Sequence, residues 1–342
     1  MTSIPLSVLD LVPVREGPDH HGGVREAMAH TAALARTAEA AGYKRFWVAE
    51  HHGMAGIAGG ATSVVLAHVG HATSTIRIGA GGIMLPNHNP FVIAEQFGTL
   101  DAMFPGRIDL GLGRAPGADG RVAQALRRDL MRSSEEFPRD VVELAARFAD
   151  DTPMAVAATA GVGAPVEMWI LGSSLFGAQL AAHLGMPYAF ASHFAPAQLD
   201  QALAIYRERF QPSATLDRPH AMAAMTVIAA DTDEEAEVLA TSGDQSFVAL
   251  RTGTPGKLKP PIPGYRDTLP PEALAMLRSM RAASAVGSPA TVRDGITRFA
   301  ERTQADEIIV AAQIFDPAAR CRSLELTAEA MGAAMASEKI AA

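Results

Sequence analysis

The sequence predicts an α/β fold of the (β/α)8 TIM-barrel class with an insertion after the seventh strand. Short apolar runs alternate with longer segments of helical periodicity, and eight such runs occur along the 342 residues. The runs are apolar at nearly every position, which is typical of parallel strands that are covered on both faces. Eight strands alternating with helices over this length favour a closed barrel over an open doubly wound sheet.

The predicted strands and helices follow one another in regular order. The eight candidate strands are Ile4–Leu11, Arg45–Ala49, Thr75–Gly79, Arg107–Gly111, Glu167–Leu171, Tyr188–Ala191, Met222–Ile228 and Glu307–Ala311. The candidate helices are Val24–Ala41, Thr62–Ala72, Phe91–Met103, Arg121–Ala149, Leu175–Leu184, Pro196–Phe210, Val292–Arg302 and Pro317–Met335. Gly42 follows the first helix and is suited to a left-handed C-terminal cap.

One segment breaks this alternation, between the seventh strand and the helix that precedes the eighth. We treat residues 1–342 as one barrel domain in which residues 231–289 form an insertion, far longer than an ordinary βα loop. It combines helical patterns at Asp233–Ala240 and Pro271–Ala282 with a Pro- and Gly-rich stretch at Gly253–Gly264. Two interpretations stay open: a lid on the catalytic face, or a disordered loop.

Composition and charge narrow the function classes. With 48% hydrophobic and 19% charged residues, the chain should form a compact globule. A net charge of -8 without a long basic block argues against nucleic acid as a partner. The single cysteine, Cys321, rules out an intrachain disulfide and fits a reducing compartment. Because we find neither a signal-like amino terminus nor a membrane-length apolar run, we expect a cytoplasmic protein with no membrane partner.

The second strand ends in Glu50-His51-His52, where a parallel barrel usually places its chemistry. A histidine there suits proton transfer, with one ring facing the barrel mouth and the other held by the structure. Neighbouring side chains of an extended segment point to opposite faces, so His51 and His52 are poorly arranged to hold one metal ion. Since HExxH and CxxC are also absent, we predict no metal site, with a site assembled from distant residues as the alternative. Two ordinary polar loop residues are the alternative.

The turn after the third strand has few side chains. Ala80 and Gly81 lie in the run Gly79–Pro86, where the bare backbone lets a flat ligand approach. A strained peptide at this position would be a functional device. The alternative is the simple corner packing that is common for glycine in barrel strands.

The turns after the fourth and fifth strands carry candidate phosphate ligands. Arg114 follows Gly113 and offers a rigid fork of donors to an anion, with a surface salt bridge as the alternative. Ser173 and Ser174, with Gly177 shortly after, open a helix whose first amides can bind phosphate, and capping without a ligand is the alternative. Adjacent barrel strands would bring the two turns to one phosphate.

Candidate walls of a substrate pocket follow the first and sixth strands. We single out Asp10 and Val12 after the first strand and His193 after the sixth. A lone histidine at such a position is more often structural. His88, in a turn between two prolines, is interpreted as turn chemistry.

These motifs, and the order in which they occur along the chain, resemble those of the bacterial luciferase-like flavin-dependent monooxygenases. The resemblance spans nearly the whole chain. The matching segments are Leu6–Asp10, Glu50–His52, Gly79–Pro86, Pro105–Gly117 and Val286–Pro289. The resemblance implies a homodimeric barrel that receives reduced FMN from a separate flavin reductase and uses O2 to oxygenate a small organic substrate. Luciferase has a cysteine immediately before the phosphate arginine, where this chain has Gly113, so we expect a non-luminescent member.

The resemblance also implies site roles. His51 would be the catalytic histidine beside the isoalloxazine, where it would take or give a proton, and Arg114 would bind the phosphate with Ser173 and Ser174. The Ala80–Gly81 bond falls where the family often has a non-prolyl cis peptide bond under the flavin.

Three other function classes stay open from the residues. A deazaflavin coenzyme on the same barrel would give an oxidoreductase that transfers hydride, and the fold alone does not separate this from oxygenation. A flavin-binding protein without turnover is the second. The third is an aldolase or isomerase that acts on a phosphorylated substrate, and its Schiff-base aldolase version is disfavoured because no lysine lies at the predicted strand ends.

Overall fold

Eight parallel strands close into a barrel in the computed structural model, which describes residues 4–17, 22–115, 120–126, 129–150 and 155–332. The described strands are β1 Leu6–Asp10, β2 Arg45–Val48, β3 Arg77–Met84, β4 Ile108–Gly113, β5 Glu167–Gly172, β6 Tyr188–Phe190, β7 Ala221–Ala229, β8 Ser284–Gly287 and β9 Glu307–Ala311, and all of them except β8 belong to the ring. Strand β1 pairs with both β2 and β9, and β7 pairs with both β6 and β9, so the ring is closed. The predicted TIM barrel is confirmed.

Helices surround the ring and cover it. They are α1 Gly22–Ala40, α2 Thr62–Ala72, α3 Pro90–Met103, α4 Gly120–Leu126, α5 Leu130–Phe148, α6 Leu175–Leu184, α7 Leu199–Arg209, α8 Asp233–Arg251, α9 Pro271–Met280, α10 Pro289–Thr303 and α11 Pro317–Ala330. Gly42 has a φ of 80°, in agreement with the predicted cap after α1. No described helix has the length and apolar character needed to cross a membrane.

Two predicted helices differ in detail from those observed. The single helix predicted over 121–149 is two helices, because Asp129 caps α5 by accepting a hydrogen bond from the Arg132 backbone N–H at 3.2 Å. The helix predicted to start at Pro196 begins with a 3-10 turn, and α7 follows it. Residues 116–117, 127–128 and 333–335, which the predicted motifs and helices also included, lie outside the described residues.

A buried ion cluster fills the amino-terminal end of the barrel. Arg45 donates from Nε to Glu307 and from Nη1 to Asp109, both at 2.9 Å, and Arg77 also pairs with Asp109. The side chains of Arg45, Asp109 and Glu307 are at most 3% exposed. Burial alone would raise the pKa of Glu307, but nearby His220 and the charge of Arg45 outweigh it and lower the pKa to about 2. Glu307 is therefore ionised and paired inside the barrel.

Two tryptophans form the next interior layer, towards the carboxyl ends of the strands. The rings of Trp47 and Trp169 pack edge to face with centroids 5.4 Å apart. Their indole N–H groups donate to Asp109 and Glu167 at 2.9 Å. Gly79 makes room, since a Cβ there would lie 2.8 Å from Trp47 Nε1. The interior is thus packed up to the level of the site.

The insertion is largely regular structure. It contains α8, α9 and the short strand β8, which extends the pairing of β7. Helix α8 runs to Arg251, well beyond the predicted end at Ala240. Strand β8 was not predicted, because its four residues, Ser-Ala-Val-Gly, are too short a run to stand out from a loop.

Backbone hydrogen bonds attach the insertion to the loop that follows β1, and the insertion also lies against the loop that follows β2. The Leu258 N–H donates to Val14 O at 2.9 Å, and the Glu16 N–H donates to Leu258 O at 2.8 Å. Gly56 lies so close to the insertion that a Cβ on it would be 2.1 Å from Gly256 O. This part of the insertion therefore lies against the end of the barrel that carries His51.

Candidate active site

Two histidines lie together at the carboxyl-terminal end of the barrel. His51 follows β2, and burial lowers its pKa, with the negative charge of Glu50 opposing that effect. His193 follows β6, and burial together with His51 lowers its pKa to about 4. His193 Nδ1 is buried and has no hydrogen-bond partner among the described residues. Both rings are therefore neutral near pH 7, and one has an unused polar atom.

Glu50 joins the loops that follow β2 and β3. Its carboxylate is buried, and Oε1 accepts hydrogen bonds from Nε2 of His52 at 2.6 Å and Nε2 of His88 at 2.7 Å. Oε2 accepts from the Met84 N–H at 3.2 Å. Burial raises the pKa of Glu50, but the bonds from His88 and His52 outweigh burial and lower it. Glu50 and His52 thus fix the backbone on either side of His51.

His88 belongs to this cluster, although its sequence context suggested only a turn. It lies 38 positions from Glu50, so no local spacing could link the two residues. The sequence did show that His88 follows β3, the neighbour of the strand that precedes Glu50.

The turn after β3 holds two glycines at a break in the strand register. Ala80 pairs with Leu110, and the pairing resumes only at Ile83, so Gly81 and Gly82 both lie opposite one residue of β4. The non-prolyl cis peptide bond joins Gly81 and Gly82, which corrects the predicted position at Ala80–Gly81. Ala80 still belongs to the regular pairing of β3 with β4, and the irregular backbone begins only after it.

Ala80 and Gly81 face opposite sides of the barrel wall. The Ala80 side chain is fully buried in the core between strands and helices, so that it offers only its backbone to a ligand. Gly81 faces inward, where a Cβ would lie 2.8 Å from Leu9 Cδ1 and 3.0 Å from Trp47 Cε3. A glycine is required there for packing alone.

Arg114 and the start of α6 come together as the adjacent strands predict. The Arg114 guanidinium carbon lies 4.0 Å from the ring centroid of Phe176, in the first turn of α6. Ser174 is the N-cap residue, yet its side chain accepts no capping bond from the described first turn. The first amides of α6 therefore remain available for an anion, beside a positive charge.

Ser173 and Gly177 occupy different environments in the same turn. Ser173 is exposed next to the N-cap, within reach of solvent or a ligand. Gly177 is buried, and a Cβ there would lie 3.3 Å from Tyr188 Cε2 and 3.5 Å from Gly172 Cα. The structure gives Gly177 a packing role between α6 and the strands.

Asp10 and Val12 lie away from the interior of the barrel. Asp10 is fully buried, accepts from Arg320 Nη2 at 2.7 Å and Thr31 Oγ1 at 2.6 Å, and so binds to α11 and α1. It also accepts from the Val12 N–H at 2.9 Å. Val12 is fully buried with a φ of 51°. Since β1 places alternate residues on opposite faces, Asp10 is on the helix side, and we do not carry either residue forward as a pocket wall.

One contact near His193 escaped the sequence reasoning. Arg251, at the end of α8 in the insertion, stacks on Phe194 at 5.0 Å and on Phe247 at 5.1 Å. This links the loop after β6 to the insertion. Only the position of Phe194 beside His193 hinted at it, because the partner lies far along the chain.

The arrangement combines three chemical capacities at one end of the barrel. It has a neutral imidazole in His51, a buried nitrogen of His193 with no hydrogen-bond partner in the described part of the chain, and an anion-binding corner formed by Arg114 and the start of α6. A ligand with a phosphate tail and a flat head suits such a site.

Comparison with known proteins agrees with this interpretation. Residues 7–307 match the family model described as luciferase-like monooxygenase. A relative from Escherichia coli K12 named luciferase-like monooxygenase is 50% identical over 325 residues, covering 95% of this chain and 96% of its own. The crystal structure of apo-MsnO8 is 34% identical with a TM-score of 0.90, covering 97% of this chain and 99% of the other.

More distant structures share the fold. The oxygenating constituent of 3,6-diketocamphane monooxygenase from Pseudomonas putida, solved with FMN, is 18% identical with a TM-score of 0.69, covering 96% of this chain and 97% of the other. A coenzyme F420 dependent tetrahydromethanopterin reductase from Methanopyrus kandleri is 16% identical with a TM-score of 0.62, covering 96% and 98%. On the evidence of the family model and the close relative, the chain belongs to the luciferase-like monooxygenase family.

Proposed function

We propose that the protein is an FMN-dependent monooxygenase of the two-component kind. It would take reduced FMN from a separate flavin reductase and use O2 to oxygenate a small organic substrate. The observation that carries the proposal is the approach of Arg114 to the uncapped first turn of α6, at the same barrel end as His51. Family membership supports oxygenation as the chemistry.

The residues present fit FMN. Arg114 and the amides that follow Ser173 and Ser174 would hold the phosphate, since an arginine fork and a helix start both favour a dianion. The turn at Gly81 and Gly82 has no side chain to keep a flat ring away. Reduced FMN, when bound, supplies the electrons for the activation of O2.

The protein side chains would manage protons and water around that chemistry. His51 is neutral, so its free ring nitrogen can accept a proton and return it later. His193 offers its unpaired Nδ1 as a hydrogen-bonding atom towards the site. The insertion, attached beside the mouth through Leu258, would act as a lid that excludes water.

A deazaflavin-dependent oxidoreductase is the second candidate. The F420-dependent fold neighbour supports it, because that coenzyme also presents a flat ring and a phosphate. His51 would then serve a hydride transfer rather than oxygenation. A flavin-binding role without catalysis would leave the neutral His51 without a use, so we rank it third.

An anaerobic binding experiment tests the proposal. Wild-type protein is titrated with reduced FMN and, separately, with reduced F420, and is then exposed to O2 while absorbance is followed. Arg114→Ala should weaken FMN binding by about 10- to 100-fold, the worth of a charged hydrogen bond, whereas the exposed Arg132→Ala should not. Tight binding of F420 with no binding of FMN would overturn the monooxygenase assignment.

His51 is tested separately from binding. His51→Ala should keep the affinity for reduced FMN and lose product formation with an active substrate, found by screening aldehydes, ketones and aromatics. If wild-type protein binds FMN and oxidises none of them, the non-catalytic role gains support.

The assembly and the insertion are part of the same proposal. We propose that the protein is cytoplasmic and forms a homodimer. Sedimentation of the purified protein at micromolar concentration checks the dimer directly. Limited proteolysis within residues 252–270 should slow when FMN binds, if the insertion is a lid. Equal cleavage with and without FMN would argue against closure.

A further inference from the structure

We propose that Glu50, His52 and His88 form a binding site for a divalent transition-metal cation, with Zn²⁺ as the probe. The nearest ligand atoms of the three side chains all lie within 4.8 Å of one another. Two imidazoles and one carboxylate are a ligand set that first-row divalent metals accept. The proposed site uses His52 together with Glu50 and His88, and it does not include His51.

The convergence of the two rings on one atom carries this inference. Nε2 of His52 and Nε2 of His88 both approach Oε1 of Glu50, at 2.6 and 2.7 Å. Ligands bound tetrahedrally to one ion at about 2.1 Å lie about 3.4 Å apart, so each ring would have to move outward from Glu50 by about 0.7 to 0.8 Å. The ring centroids are 6.2 Å apart, and the rings are inclined at 49°.

The surroundings support binding as well. Glu50 is buried, with 1% of its side chain exposed, which distinguishes the cluster from the exposed acidic groups common on protein surfaces. Its second oxygen is held by the Met84 N–H, which fixes the orientation of the carboxylate as outer-shell partners of metal sites do. The two histidine side chains are 20% and 27% exposed, so water can reach the ion and fill its remaining positions.

Binding would change the tautomer of both rings. The hydrogen bonds to Glu50 require a proton on each Nε2, and a metal requires the lone pair of that nitrogen instead. Each neutral imidazole would therefore carry its proton on Nδ1 when Zn²⁺ is bound, with no net release of protons and no change in oxidation state. The cation would bridge the loops after β2 and β3, and this inference does not depend on the proposed flavin chemistry.

Calorimetry with metal-free protein tests the site. Wild-type protein stripped with a chelator should bind one Zn²⁺, and Co²⁺ should give visible absorption bands. His52→Ala and His88→Ala should each weaken binding by about 100-fold or more. The exposed His183→Ala should leave it unchanged. His20 and His21 are consecutive in the sequence and could bind Zn²⁺ themselves. A variant with His20→Ala and His21→Ala should therefore bind Zn²⁺ as the wild type does.

Two outcomes would overturn the inference. One is wild-type protein that binds no Zn²⁺ at micromolar concentration. The other is stoichiometric binding that survives in both His52→Ala and His88→Ala, or disappears in the variant lacking His20 and His21. Circular dichroism of each variant shows whether it folds, and His88→Gln, which keeps a donor to Glu50 without the imidazole ligand, should fold and still lose Zn²⁺.

Discussion

His193 should make the protein lose stability in mild acid. An exposed histidine has a pKa of about 6.5, whereas burial lowers the pKa of His193 to about 4. Between these values the unfolded chain binds a proton that the folded chain does not, so stability is complete above pH 6.5 and falls as the pH falls towards 4. The full difference is about 3 kcal/mol, of which about 2 kcal/mol is lost between pH 7 and pH 5.

Urea unfolding of two variants at pH 7 and pH 5 measures this contribution. Both the wild type and His193→Leu should lose free energy of unfolding between pH 7 and pH 5. The loss in His193→Leu should be about 2 kcal/mol smaller than the loss in the wild type, because the variant lacks the titrating group. His183→Leu makes the same change at an exposed position of α6 and should keep the wild-type pH dependence. If all three proteins lose stability in parallel, His193 does not titrate as the structure implies.

Three further substitutions test the packing around the site. Gly82→Ala would place a Cβ 2.7 Å from a carbonyl oxygen of β4 and should cost about 1 to 3 kcal/mol in thermal unfolding, whereas Gly113→Ala, with its nearest atom at 3.7 Å, should be nearly neutral; equal losses would contradict the clash. Asp10→Leu should cost about 3 to 5 kcal/mol because it leaves Arg320 buried and unpaired, and adding Arg320→Met should recover much of this loss in urea unfolding; no recovery would refute the ion-pair explanation. In Gly56→Ala the added Cβ would lie 2.1 Å from a backbone oxygen of the insertion. We expect faster proteolysis of residues 252–270 with only a small decrease in the melting temperature. Unchanged cleavage would show that the contact is dispensable.

The sequence predicted the barrel well because its strands are apolar on both faces. The strand from Glu307 to Ala311 was predicted with its observed bounds, and the helix Thr62–Ala72 likewise. Strand β8 was missed, because four small residues produce no periodicity. The extent of α8 was missed as well, since its polar residues masked the helical pattern.

The site was predicted in part for a similar reason. Arg114 and the serines before α6 were expected at one phosphate because adjacent parallel strands end at one edge. The structure places Arg114 against Phe176 in the first turn of α6, and the shared phosphate stays a prediction. Asp10 was misjudged because the sequence gives its distance from the strand end, but not the face it occupies. His88 was undervalued because its partner Glu50 comes from another loop.

The ion cluster and the tryptophan layer inside the barrel make it a cup rather than a tube. Arg45, Asp109 and Glu307 form the base, and Trp47 with Trp169 lies above it. Among the described residues this packing closes the amino-terminal end of the barrel, so a molecule that reaches His51 through the carboxyl-terminal opening leaves through the same opening. Arrival and departure share one passage, so a residue at the rim that slows entry also slows exit.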